Sequence, residues 1–178
     1  MTSTSRGSPR RTQAGYTLVE VLVVVTIMGI VAAIVVPQML QAGTLGVQAA
    51  ARALIADIIY AQNEAVVRQT PHKVIFDEEG NRYRLVRADA DAGDVTLKAA
   101  WKTGTGADNS DFVVDFNRDD RFQGVELLAV NFGDEQTVAF DDLGSPDRGG
   151  SVDLRFNQHR YRVTVAAFTG RVSVAAVN

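Results

Sequence analysis

The chain has no cysteine among its 178 residues. No disulfide can staple the fold, and neither thiol redox chemistry nor a cysteine-based metal site is available. Histidine is scarce too: His72 and His159 stand far apart, so no pair falls at metal-ligand spacing, and no phosphate-binding glycine loop is present. A basic surplus is missing. The formal net charge is −3, whereas a general nucleic-acid binder shows a basic face. Residues 16–36 carry a single charge, Glu20. About 20 apolar residues suffice to cross a bilayer. A carboxylate within such a segment is expensive and marks function, so Glu20 is expected to find a partner.

A leader with Arg6, Arg10 and Arg11 and no acid precedes this run. Its charge fits the positive-inside rule, which leaves the C-terminal bulk outside the cytoplasm. Two plainer readings compete. A secretory signal peptide has an apolar core of roughly 7–15 residues and a small-residue cleavage site; Val31-Ala32-Ala33 imitates the site, but the run is longer. A plain transmembrane anchor accounts for the length and leaves Glu20 unexplained.

The remainder suits one globular domain. Pro37 lacks a backbone donor and is expected to kink the helix, with Gly43 and Gly46 weakening the same region. Over residues 47–68, Leu54, Ile55, Ile58, Ile59, Ala61, Ala65 and Val66 recur at spacings of three and four, one apolar stripe. Arg52, Asp57, Gln62, Asn63 and Glu64 are expected on the opposite side. Thr70-Pro71 ends the helix, since a residue before proline disfavours it. Short strands follow at 73–77, 81–88, 95–101, 112–116, 125–131, 137–141, 152–156, 161–167 and 171–177. Glu78-Glu79-Gly80, Asn157-Gln158 and Thr169-Gly170 read as turns. Polar loops at 104–111 and 141–150 separate strand groups. The expected fold class is α+β: a long N-terminal helix, half membrane-spanning and half amphipathic, on an antiparallel β-domain with possible division into two sheets.

Gly15-Tyr16-Thr17-Leu18-Val19-Glu20 after a basic leader resembles the class III signal of type IV pilins and pseudopilins. The resemblance implies cleavage between Gly15 and Tyr16 by a prepilin peptidase. It also implies N-methylation of the new terminus at Tyr16 and an assembly role for Glu20; the family's usual residue at Tyr16 is Phe. Pro37, just past the apolar stretch, fits the same pattern. The C-terminal half resembles the GspH/FimT family of minor pseudopilins and minor pilins. The residues that carry this are Val138-Ala139-Phe140-Asp141 with Gly144, the strand from Gly150 to Phe156, Tyr161-Arg162-Val163-Thr164-Val165 and Thr169-Gly170-Arg171-Val172. Residues 89–135 carry no clear match.

The domain reading is therefore a cleaved leader (1–15), a transmembrane assembly helix (16–36), its amphipathic continuation (37–70) and an extracytoplasmic β-domain (71–178). The resemblance implies a structural subunit without enzymatic activity or cofactor. Its partners would be other pilins or pseudopilins, the prepilin peptidase, an inner-membrane assembly platform and lipid. A minor pseudopilin of a type II secretion system near the filament tip leads, with a minor type IV pilin involved in pilus assembly or DNA uptake as the alternative.

Other chemistry is thinner. Asp115, Asn117, Asp119 and Glu126 fall at the first, third, fifth and twelfth positions of a calcium-loop pattern. Asp120 occupies the position that wants glycine, and Arg118 and Arg121 add positive charge. Ser145 and His159 with an aspartate permit a hydrolytic triad on paper, with no elbow motif around them. Trp101, Phe112, Phe116, Phe122, Phe132, Phe140 and Phe156 read as core or sheet-face residues. Arg155, Arg162 and Arg171, with Arg160, permit a basic stripe for DNA, against the plainer reading of a solvated sheet face.

Overall fold

The computed structural model describes residues 16–89, 93–98, 111–133 and 135–177, with backbone alone for 36–44. Among the described residues one α-helix, α1 (Leu18–Arg68), is followed by nine strands and a short 3-10 turn (Asp120–Phe122) between the fourth and fifth. They are β1 (His72–Asp77), β2 (Arg82–Asp89), β3 (Gly93–Thr96), β4 (Val113–Asp115), β5 (Glu126–Asn131), β6 (Thr137–Phe140), β7 (Gly150–Phe156), β8 (His159–Val165) and β9 (Val172–Val177). Two compact units divide between Leu40 and Gln41. In the first, Leu18–Val35 has a mean hydropathy of 2.9 and is long and apolar enough to cross a membrane. Every side chain in that stretch is exposed within the chain. Helical backbone continues on both sides of Pro37.

In the second unit, α1 buries Val47, Ala50, Ala51, Leu54, Ile58, Ala61 and Ala65. This is the expected spacing of three and four, but the stripe is rotated from its predicted centre. Ile59 and Val66 are exposed, and Asp57, assigned to the polar side, is buried. The reason is small side chains. Four alanines let the helix backbone approach the sheets, and Asp57 finds a hydroxyl there: Tyr83 on β2 donates to it at 2.6 Å.

The strands form two antiparallel sheets. In the first, the order is β3-β2-β1-β6, with β4 also pairing to β2. In the second, it is β5-β7-β8-β9. The period of two appears in β1, where His72, Val74 and Phe76 are buried while Lys73, Ile75 and Asp77 are only half-buried. Inner faces of both sheets join the α1 stripe in one core, with Phe76 stacked on Phe132 at 5.5 Å between ring centroids. The helix reaches both sheets by polar ties as well. Besides Asp57, Gln48 donates to the Tyr161 hydroxyl on β8 at 2.9 Å, and Gln62 donates to the Gly144 carbonyl at 2.7 Å.

Two glycines of the C-terminal pattern have a steric reason. A Cβ on Gly150 would lie 2.3 Å from the Phe132 ring and 2.4 Å from the Asn131 carbonyl oxygen. Gly144 has φ +80°, and a Cβ there would meet Val66 of α1 at 2.8 Å, so the loop closes onto the helix only without a side chain. Residues 99–110, including Trp101 and most of the polar loop placed at 104–111, lie outside the described residues.

Candidate functional site

The helix start is built by its own sequence. Thr17 precedes α1, and its Oγ1 accepts a hydrogen bond from the Glu20 backbone N–H at 3.2 Å. This satisfies one of the amides a helix N-terminus leaves unpaired. Thr17-Leu18-Val19-Glu20 has the capping-box spacing, a second signal carried by Glu20 and legible in the sequence. Tyr16 and Glu20 are exposed. Among the described residues, the Glu20 carboxylate has no partner within the chain. The Thr26 hydroxyl donates to the Leu22 carbonyl at 2.8 Å, so the polar groups of the apolar stretch resolve into an internally bonded hydroxyl and one carboxylate. Gly15 lies outside the described residues, as does the rest of the leader.

The oxygens proposed for calcium are engaged by the protein itself. Asp115 accepts from the Asn117 amide at 2.9 Å and faces Arg118 at 3.6 Å. The Asn117 side-chain oxygen accepts from Asn81 at 2.9 Å. Asp119 caps the short 3-10 turn Asp120–Phe122 and pairs with Arg121. Glu126 lies on β5 and accepts from Arg155 at 3.1 Å. Among the described residues no group of three or more histidines and carboxylates gathers to hold a metal. Each oxygen is drawn to a nearer amide, amide side chain or guanidinium, so the spacing does not become a cage.

Two of the three candidate DNA arginines, Arg155 and Arg162, are ion-paired. Arg155 pairs with Glu126 across β7 and β5. Arg162 donates to Asp153 through Nε at 2.8 Å and Nη2 at 2.9 Å, and Arg160 donates to the same carboxylate at 2.6 Å. Asp153 is fully buried. Burial opposes its ionisation, but the hydrogen bonds from Arg162 and Arg160 outweigh that and hold the carboxyl below its ordinary range. Arg171 is exposed at the start of the last strand. Ser145 sits in a turn where its amide donates to Asp141, and His159 is exposed at the start of β8. No Ser-His-Asp contact forms among the described residues. Phe112, Phe116, Phe122, Phe132 and Phe140 are buried, and Phe156 is half-buried against the core.

A long N-terminal helix with an apolar leading half, packed further on against two antiparallel sheets, defines a pilin-like, membrane-anchored protein. Residues 10–36 match the prokaryotic N-terminal methylation motif. Residues 50–170 match the profile of the type II transport protein GspH, and the chain belongs to that family. It is 27% identical over 163 residues to competence protein ComGD of Bacillus subtilis (strain 168), covering 91% of this chain and 93% of that protein. The crystal structure of the minor pseudopilin EpsH from the type II secretion system of Vibrio cholerae shares the fold, with a TM-score of 0.51 at 13% identity. That match covers 75% of this chain and 95% of that one. The Pseudomonas aeruginosa type IV minor pilin FimU matches at a TM-score of 0.47 and 14% identity, covering 72% and 87%. The chain is thus a member of the GspH family that carries the prokaryotic N-terminal methylation motif.

Proposed function

We propose that the chain is a structural minor pseudopilin of a type II secretion pseudopilus, placed near the filament tip and without catalytic activity. The observation that carries this is a methylation motif on a membrane-length helix joined to a GspH-type domain. A prepilin peptidase cuts between Gly15 and Tyr16 and methylates Tyr16. The β-domain lies outside the cytoplasm, and an inner-membrane platform passes the subunit into the filament. Within the filament, Glu20 pairs with the amino terminus of an adjacent subunit. That contact offsets two burial costs and fixes axial register, a use of ion pairs better attested than stabilisation.

Glu20→Val tests the pairing: membrane insertion persists and incorporation into filaments is lost. Normal incorporation of Glu20→Val refutes it. Gly15→Val leaves the chain uncut, and a mature terminus other than Tyr16 by mass spectrometry refutes the cleavage site. A second reading, a minor pilin of a type IV or competence filament, is favoured by the similarity to ComGD along 91% of this chain. Deleting the gene and scoring secretion, twitching and transformation separately decides between them.

A further inference from the structure

Sheet edges are liabilities that proteins cover, shorten or charge, and three edges of this domain are so treated. On β5, Ala129 has φ +51° in a bulge, and the Glu78 carboxylate accepts from the amides of Ala129 at 3.2 Å and Val130 at 3.4 Å. On β6, Ala139 exchanges hydrogen bonds with Asp147, whose backbone N–H donates to its carbonyl and whose carboxylate takes its amide. The β3 edge is four residues long and carries Asp94 paired with Lys73. The β9 edge differs. Val172-Ser173-Val174-Ala175-Ala176-Val177 holds no charge, proline or glycine, and 173 through 176 are exposed. Ala166 N–H donates to the Arg171 carbonyl, and pairing then runs Val165 to Val172, Thr164 to Ser173 and onward. Alternation in an antiparallel ladder therefore turns Ser173, Ala175 and Val177 toward β8. The N–H and C=O groups of Val172, Val174 and Ala176 point outward, and among the described residues nothing pairs with them.

Charge says what fits there. From Leu154 to the C-terminus the chain has Arg155, Arg160, Arg162 and Arg171 and no Asp or Glu, against an overall charge of −3. Arg155 is balanced by Glu126, whereas Arg160 and Arg162 share the single carboxylate of Asp153. Arg162 stands directly across from Ala175 with its side chain partly exposed, and the exposed Arg171 flanks the other end of the strand. A second copy pairing along β9 would bring these positive groups together, which is unfavourable.

We propose that β9 is a docking edge that accepts an extended, acidic strand from a different subunit of the same filament, by strand addition. The partner's identity as a filament subunit rests on the function proposed above. Main-chain bonds to Val172, Val174 and Ala176 hold the strand, and its acidic side chains are selected by Arg171 and by the surplus positive charge that Arg160 and Arg162 keep around the one carboxylate of Asp153.

The test uses the full chain in its own cells. Val174→Pro removes an outward donor without touching the bonds to β8. Ala175→Glu repels an acidic strand, and Ala175→Lys does not. Recovery with purified filaments should fall about tenfold or more in Val174→Pro and Ala175→Glu, as for one lost hydrogen-bonded contact. Ala175→Lys should be recovered normally, and Tyr16 should be the mature terminus in all three. A photo-crosslinking side chain at position 176 should join an acidic extended segment of another subunit, mapped by mass spectrometry. Should Val174→Pro unfold at a lower temperature, the Glu and Lys pair at 175 still decides. Equal recovery of both 175 variants, or crosslinks to a second copy or to DNA, overturns the docking edge. Any of these leaves the filament reading intact, because that reading stands or falls on Tyr16 processing and on Glu20→Val.

Discussion

The tie between Asp57 and Tyr83 gives the sharpest quantitative expectation. Tyr83 is 1% exposed and Asp57 8%, and the hydroxyl donates at 2.6 Å. A hydrogen bond to a charged group contributes about 1.5–3 kcal/mol net. Tyr83→Phe removes only the hydroxyl and with it the bond to the Asp57 carboxylate, so it should cost that amount. For a domain of this size the loss lowers Tm by roughly 3–12 °C. Asp57→Asn keeps an acceptor for the hydroxyl and should cost less, about 1 kcal/mol. The double variant should fall short of additivity by about 1–2 kcal/mol, because the two singles remove one shared contact.

Urea and thermal unfolding of the four proteins in detergent, followed by circular dichroism, measure the cycle. Alkali supplies an independent check. Burial, the Asp57 charge and the hydrogen bond to Asp57 all raise the Tyr83 pKa well above its usual value. A raised native value makes this contribution complete below the unfolded pKa near 10. It is lost as pH rises above that point toward the native pKa. Tyr83→Phe should lack that alkaline loss. Additive single variants, or a Tyr83→Phe protein that melts within 1 °C of wild type (roughly a third of a kcal/mol), would refute the reasoning.

The acid side works oppositely. Asp153 has a lowered native pKa, so its contribution is full above about pH 4 and lost as pH falls through the native value. Asp153→Asn should flatten the acid limb of a stability profile. Gly150→Ala drives a Cβ into the Phe132 ring and the Asn131 carbonyl and should cost about 1–3 kcal/mol in denaturant unfolding. Gly29→Ala, with nothing within 4 Å, should leave membrane insertion unchanged. Thr17→Ala should weaken the first turn of α1 by about 1 kcal/mol, read as faster amide exchange at Glu20, with Thr17→Ser close to wild type.

The elements were legible because their signals are local. Eight of the nine strands largely overlap the expected segments, whereas β3 (Gly93–Thr96) shares only Val95 and Thr96 with the strand expected at 95–101, and α1 stops at Arg68, two residues before Thr70-Pro71. Asp57 was not legible as buried, since its partner Tyr83 is 26 residues away on a strand whose register no local pattern states. Nor was the stripe's centre: Ile59 outranks Ala61 in hydrophobicity, yet the sheets accept the helix along Ala50, Ala61 and Ala65 because close approach favours small side chains. The bulge at Ala129 was hidden for the same reason as Asp57. It exists because Glu78, from the β1–β2 turn, supplies a carboxylate to two amides of β5. In the C-terminal arginines, sequence showed charge and concealed neutralisation. Asp153 lies opposite Arg162 only once β7 and β8 are paired.

The helix start joins two demands on one short motif. Thr17 satisfies the Glu20 amide, one of those that the helix start leaves unpaired. Under the proposed cut after Gly15, the new ammonium at Tyr16 stands just ahead of the positive end of α1. The charge of that amine and the helix dipole both favour a carboxylate within the first turn, and Glu20 is the only acid available there. A lone subunit therefore already offers Glu20 a favourable field of its own. The proposed pairing with a neighbour would exchange one stabilised state for another, with a small difference in free energy. The larger asymmetry belongs to mismatched packing, in which a carboxylate or an ammonium is buried without a partner. On this argument Glu20 acts by penalising wrong registers more than by strengthening the right one. Under the proposed filament role, the affinity that distinguishes neighbours would then come from the β-domain, where the open β9 edge offers directional bonds and the arginines beside it offer a choice of charge.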